Sequence, residues 1–197
     1  MAVPTDVDRT APVLALHEID IEAPADTVWK IHVDVNAWPS WQTDITDARI
    51  DERLEPGVSF DWTSYGFSVT STVYEMTELT RVLWGGTSGG ITGVHKWSFG
   101  ETPRGVLVTT NESFAGEPVG ADEAAMQSTL DASPVAWLGH LKTAAESTAT
   151  QQLLARAAGG RLAGRRRLGT RPRLARASRA VSDITPTRAS LVRRRVR

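Results

Sequence analysis

Residues 13–29 read Val13-Leu14-Ala15-Leu16-His17-Glu18-Ile19-Asp20-Ile21-Glu22-Ala23-Pro24-Ala25-Asp26-Thr27-Val28-Trp29. Up to Ala23 the stretch alternates. Val13, Ala15, His17, Ile19 and Ile21 share one face, and Leu14, Leu16, Glu18, Asp20 and Glu22 share the other, the period of a half-buried strand. Pro24 and Asp26 then open a helix. Proline fits a first turn, where its missing N–H is not needed, and a carboxylate suits the positive helix end. Val28, Ile31, His32 and Val35 follow at helical spacing. Asn36, Pro39 and Ser40 break the pattern, with Trp38 and Trp41 astride the break on a short second helix.

Downstream the period returns to two. Six strand-like runs follow: Ile45 to Arg53, Val58 to Ser64, Phe67 to Thr77, Arg81 to Trp84, Val94 to Phe99 and Val106 to Phe114. Their hairpin-length gaps imply a continuous antiparallel meander. Gly116 to Gly120 reads as a loop. From Asp122 the spacing is helical again, with Met126, Leu130, Trp137 and Leu141 on one stripe. Pro134 is expected to kink that helix or split it, with Ser133 as a second cap. The expected fold is α+β: a seven-stranded curved antiparallel sheet wrapped around a long C-terminal helix, with two short helices after the first strand. Seven twisted strands do not stay flat, and a helix across their concave face encloses a space suited to a small molecule.

The chain has 197 residues and no cysteine, which excludes disulfides and thiolate chemistry. A cysteine-free chain without a secretory leader or a transmembrane segment reads as cytoplasmic. Its net charge of −1 conceals a division. Residues 151–197 hold 14 arginines and one acid, Asp183, whereas residues 1–150 carry 22 acidic and 8 basic side chains. The expected organisation is therefore a flexible N-terminus over 1–12, one domain over 13–150 and an Arg-rich tail over 151–197. Without aromatic anchors the tail has disorder as its default. Its other readings are an arm for nucleic acid or an anionic surface, and out-of-frame translation of GC-rich codons. No aromatic interleaves the arginines, so base stacking is unsupported and nucleic acid is not an indicated partner.

Six pieces of the chain stand together: Ile21 to Trp29, Trp38-Pro39-Ser40-Trp41, Pro56 to Trp62, Gly90-Ile91 with His95 to Phe99, Thr110 to Gly116, and Trp137 to Lys142 with Glu146. They resemble the SRPBCC superfamily, the START-related and birch-pollen-allergen-like helix-grip proteins, and among them bacterial polyketide cyclase/dehydrase-like members. The resemblance spans about Val13 to Glu146 and implies the helix-grip fold. That superfamily includes carriers, receptors and cyclases, so the resemblance leaves the chemistry open. The function expected is binding of a small hydrophobic or aromatic molecule, polyketide- or lipid-like, in an internal cavity. The alternatives are polyketide cyclisation or dehydration, and tail-mediated binding to nucleic acid or an anionic surface.

Candidate chemistry gathers on two neighbouring strands. His95, Trp97 and Phe99 share one face, as do Val106, Val108, Thr110, Glu112 and Phe114. Pairing Phe99 with Val106 sets His95 opposite Thr110 and diagonal to Glu112. An imidazole beside a carboxylate can shuttle a proton next to an enolate, so His95 and Glu112 are the catalytic candidates. The same pair can simply satisfy one another in a core. Lining candidates are His17, Phe60, Trp62, Tyr65, Tyr74, Trp84, Trp97, Thr110 and Phe114. Seven tryptophans could also fill the cup outright. His32 and His140 are expected to pack or face solvent. The scattered histidines point to no metal site, and no nucleotide-binding glycine motif occurs, so no cofactor is implied. Gly86-Thr87-Ser88-Gly89-Gly90 has the spacing of a nucleophile elbow but is followed by a strand pattern, and reads instead as a glycine-rich lip. The oligomeric state is left open.

Overall fold

The structure is a computed structural model. It describes residues 3–167, with side chains described as far as Ala158. The chain divides into two compact units, Met1–Ala158 and Gly159–Arg197, and the first holds the sheet and the helices that pack on it.

Strand β1 (Val13–Ile21) leads into helix α1 (Ala25–Val33) and a 3₁₀ turn (Val35–Ser40). The meander follows as β2 (Ile45–Arg49), β3 (Ser59–Ser64), β4 (Phe67–Thr77), β5 (Arg81–Ser88), β6 (Ile91–Thr102) and β7 (Gly105–Ala115). A five-residue helix α2 (Glu117–Ala121) precedes the long helix α3 (Glu123–Arg167). The sheet is antiparallel throughout, in the order β1-β7-β6-β5-β4-β3-β2. β1 and β2 are thus its two edges, and β1 closes the sheet by pairing with the last strand.

The hydrophobic alternation explains the layering. Ile21, Val28, Trp38, Phe60, Val82, Trp97, Val108, Trp137 and Leu141 are buried in one cluster between the sheet and the helices. A smaller cluster holds Val13, Ala15, Val119 and Leu130. Trp38 is the hub of the larger one. Its indole donates to the carbonyl of His32 at 2.8 Å and lies 5.2 Å from Trp137 and 5.5 Å from Phe60, ring centre to ring centre. Edge-on contacts of this kind add about 0.5–1.5 kcal/mol each beyond area burial.

Several expectations are corrected. β5 does not end at Trp84 but continues through Gly85–Ser88, so the glycines form strand and a Gly89-Gly90 turn rather than a free lip. Gly86 is required there: a Cβ would stand 2.1 Å from the carbonyl oxygen of Thr70. Residues 117–121 are helical rather than loop. α3 is not split at Pro134, which sits inside one helix. A helix held by packing on both sides of a proline tolerates the lost backbone bond. Nor does order stop at Thr150. Gln151-Gln152-Leu153-Leu154-Ala155-Arg156 are good helix formers, and α3 carries them on to Arg167. Residues 168–197 of the expected tail lie outside the described residues.

The N-terminus is tied down rather than loose. Asp6 meets Lys96 at 2.5 Å, the amide of Asp8 donates to Ser113 Oγ, and Val7 packs with Leu83 and Val94 on the outer face of the sheet. The Lys96 ammonium holds the Asp6 carboxyl below its ordinary pKa.

Candidate functional site

Strand register builds the site. The β6–β7 hairpin turns through Pro103-Arg104 alone, because Thr102 pairs with Gly105. That tight turn moves the register by two residues from the expected one. Phe99 faces Val108, Trp97 faces Thr110, and His95 faces Glu112 directly. A two-residue shift keeps every side chain on its face. The concave side then carries lateral rows. One runs Ala15, Glu112, His95, Trp84, Val73, and the next runs His17, Thr110, Trp97, Val82.

His95 and Glu112 are 7% and 2% exposed. Nδ1 of His95 stands 3.0 Å from Oε1 of Glu112, close enough for an ion pair yet off the line that a hydrogen bond requires. The imidazole stacks on Trp84, with centroids 4.1 Å apart and planes 7° from parallel. Trp62 meets it edge-on, and Phe114 lies 6.2 Å away. The pair is thus an imidazole and a carboxyl group boxed by rings.

Around it lies an unusual set of polar atoms. Trp97 Nε1, Thr110 Oγ1, His17 Nε2 and, on α3, Trp137 Nε1 are buried without a hydrogen-bond partner. An unsatisfied buried donor or acceptor costs about 1–3 kcal/mol, so native interiors hold few. Here they are neighbours on adjoining strands and on the helix above. His17 and Thr110 lie along the seam between the two apolar clusters, and Trp97 and Trp137 belong to the larger cluster beside it, so the four make a polar band at that seam. Pro134, buried, sits on α3 between Leu130 of one cluster and Trp137 of the other.

The lining candidates separate by position. Phe60, Trp62, Trp84, Trp97, Thr110 and Phe114 face the interior, where most of the rings already touch one another. Trp62 also donates to Ser71 Oγ at 3.0 Å. His17 stands at the rim, its side chain 25% exposed, with Nε2 3.8 Å from Asp131 Oδ1. Tyr74 does not line the cup. It lies on the outer face with Val7, Leu83 and Val94, because alternation along β4 puts it opposite Val73. Tyr65 is also outside: with φ of 50° it forms the β3–β4 turn together with Gly66, and it is 60% exposed.

Three further interior participants were not among the candidate site residues of the sequence, although His32 was expected to pack. His32 is fully buried 4.5 Å from the ring of Trp97, and desolvation pushes its pKa down to about 3. Trp137 roofs the ring cluster. Gln42 is buried and bonds to His140 Nδ1. The helical stripe on α3 was the signal for Trp137; nothing local marked Gln42, whose partner is 98 residues away. Among the described residues no cluster of His, Asp and Glu is arranged to hold a metal ion, and no helix is long and apolar enough to cross a membrane. Two surface grooves, one beside Arg104 and Arg156 and one beside Arg49 and Gly57, are lined by none of His17, His95, Thr110 or Glu112.

A family model described as polyketide cyclase/dehydrase and lipid transport matches residues 15–146. No curated protein sequence matches. Among solved structures, the hypothetical protein jhp0584 from Helicobacter pylori is similar at a TM-score of 0.62 and 18% identity, covering 74% of this chain and 99% of its own. A START superfamily protein from Mycobacterium smegmatis is similar at 0.54 and 17%, covering 71% and 98%. The di-domain ARO/CYC StfQ from the steffimycin biosynthetic pathway is similar at 0.60 and 15%, covering 70% of this chain and 52% of that one. At these identities the structural likeness speaks for the fold.

Proposed function

The chain belongs to the polyketide cyclase/dehydrase and lipid-transport family, and from that premise we propose that it binds a flat, oxygen-bearing aromatic molecule between α3 and the polar band of the sheet. The observation that carries this reading is the band itself. Trp97 Nε1, Trp137 Nε1, Thr110 Oγ1 and the His95–Glu112 pair lie buried under α3, walled by rings. A saturated chain would leave those polar atoms unmet. A guest with hydroxyls or carbonyls meets them, and its faces stack on indoles. Room for it comes from displacement of α3 near Pro134, where the helix lacks one backbone donor. This favours the aromatic, polyketide-like half of the family's description over its lipid half.

Thr110→Val tests the assignment because it removes an unpartnered hydroxyl at almost constant volume. The free protein should become more stable, by about 1 kcal/mol, since no hydrogen bond is lost. Affinity for a hydroxylated naphthalene or anthraquinone should fall roughly 3- to 10-fold, the worth of one hydrogen bond. A loss of stability with unchanged affinity would show that the hydroxyl serves the fold alone.

A second reading is favoured by the 3.0 Å approach of His95 to Glu112. With Glu112 orienting the imidazole, His95 takes a proton from a ketone's α-carbon, the enolate attacks a second carbonyl, and the proton returns to the alkoxide so formed; removal of a second α-proton by His95 and its delivery to that hydroxyl then expels water, a cyclisation followed by dehydration. His95→Ala would then abolish turnover of a poly-β-keto thioester and leave its binding within about threefold. Turnover surviving the substitution would remove His95 from the chemistry.

A further inference from the structure

Strand β1 is an edge of the sheet, and its outer backbone groups need partners. α3 supplies them at two places. At one end, the Gln127 side chain brackets Leu14: Nε2 donates to the carbonyl at 2.9 Å, and Oε1 accepts from the amide at 3.4 Å. At the other, Lys142 Nζ donates to the carbonyl of Asp20 at 2.6 Å, and Glu146 accepts from the amide of Glu22 at 2.9 Å. Lys142 and Glu146 also bond each other at 2.7 Å. The clasps are about 20 Å apart along either element, at ~3.3 Å per strand residue and ~1.5 Å per helix residue.

Between them, among the described residues, no hydrogen bond joins α3 to the backbone of Leu16 or Glu18. One loose contact spans the gap, His17 Nε2 to Asp131 Oδ1 at 3.8 Å, beyond hydrogen-bond reach. Asp131 is instead held by Gln127 at 3.0 Å, so clasp and latch share a carboxylate. Apolar side chains flank the gap: Val135 on α3 is 54% exposed, and Leu14 and Leu16, on the outer face of β1, are 39% and 65% exposed. Directly behind His17 in the sheet lies Thr110, 1% exposed with its hydroxyl unpartnered. Pro134, one helical turn beyond Asp131, marks where α3 is missing a backbone bond.

We infer that the interior is reached from this side, through a portal between β1 and α3 bounded by the Gln127 and Lys142–Glu146 clasps and latched by His17 and Asp131. Opening needs no break in the sheet and no loss of the Lys142–Glu146 clasp. It needs the first turns of α3, up to Pro134, to swing off the edge of β1, which releases the Gln127 clasp and the packing of Leu130 against Val13 and Ala15. A flat neutral molecule then passes Val135 and His17 and meets the polar band at Thr110. This portal rests on the binding reading above.

The cysteine-free chain allows a direct test. In the full chain, Asp131→Cys is capped with a 5-kDa polyethylene glycol maleimide, and Glu55→Cys, an exposed position before β3 at the opposite side of the sheet, is capped the same way. Association of 2-naphthol is followed by stopped-flow tryptophan emission. The portal predicts at least tenfold slower association for the capped Asp131→Cys chain than for the same chain uncapped, with no change on capping at position 55. Gln127→Leu, which opens the clasp, should raise association and dissociation rates together by severalfold and leave Kd unchanged. Capping at 131 without effect on the rate, alongside saturable quenching, overturns the portal and leaves the binding reading standing. No saturable quenching in the unmodified chain overturns the binding reading, and the portal with it.

Discussion

His32 illustrates how one residue sets the acid response. It is buried against Trp97 and Phe99, and desolvation lowers its pKa from the ordinary 6.5 of a histidine to about 3. Between those values the unfolded chain binds a proton that the folded chain refuses. Stability is therefore full above about pH 6.5 and declines as pH falls toward 3, by up to about 1.4 kcal/mol per pH unit from this site. His32→Phe should flatten that part of the profile, so that its melting temperature falls less than the parent's between pH 7 and pH 4.5. An unchanged profile would place the acid sensitivity elsewhere. His95 behaves differently because it has a partner. His95→Leu strands the Glu112 carboxylate in the core and should cost about 2–4 kcal/mol. Adding Glu112→Gln to that variant should restore part of the loss, as chemical denaturation would show. Simple additivity would mean that the two side chains do not interact. Both residues stood out in the sequence, but their direct pairing did not. The register depends on a hairpin turn of only two residues, and the local sequence Glu101 to Gly105 reads equally well as a longer turn.

At the scale of elements, period-two alternation located all seven strands, and the faces it assigns to β1, β6 and β7 match the buried rows of the sheet. The misplaced ends have physical causes. Glycines shortened the expected β5, since Gly85 and Gly86 read as turn residues, whereas here they allow the backbones of β4 and β6 to approach closely. Leucine, alanine and glutamine after Thr150 prolonged α3, because helix propensity does not register a change in charge composition. Tyr65 and Tyr74 were read as lining for their chemistry alone; a positive φ and strand parity send them elsewhere. Two glycine substitutions should separate close approach from propensity. Gly86→Ala would press a Cβ to 2.1 Å from the Thr70 carbonyl and should destabilise by more than about 2 kcal/mol. Gly139→Ala lies within α3 with nothing inside 4 Å of the added carbon, and should stabilise by about 0.5–1 kcal/mol. Equal effects in thermal melts would contradict the packing described.

For the whole molecule, the sequence pointed to a cup and a helix, and the structure shows how that cup is furnished. Its interior is divided between a ring-filled portion centred on Trp38 and a smaller aliphatic portion around Leu130, with polar atoms along the seam. That division was out of reach of periodicity, which sorts residues into faces but does not say which of them find partners. The central claim is that the seam receives an oxygen-bearing aromatic guest. Titration of tryptophan emission in the full chain tests it most directly, with a hydroxylated anthraquinone in one arm and a saturated fatty acid of similar size in the other. Trp84, Trp97 and Trp137 surround the seam, so saturable quenching by the anthraquinone and little response to the fatty acid are expected. Saturable binding of the fatty acid alone, or no response to either ligand from a folded protein, would contradict it.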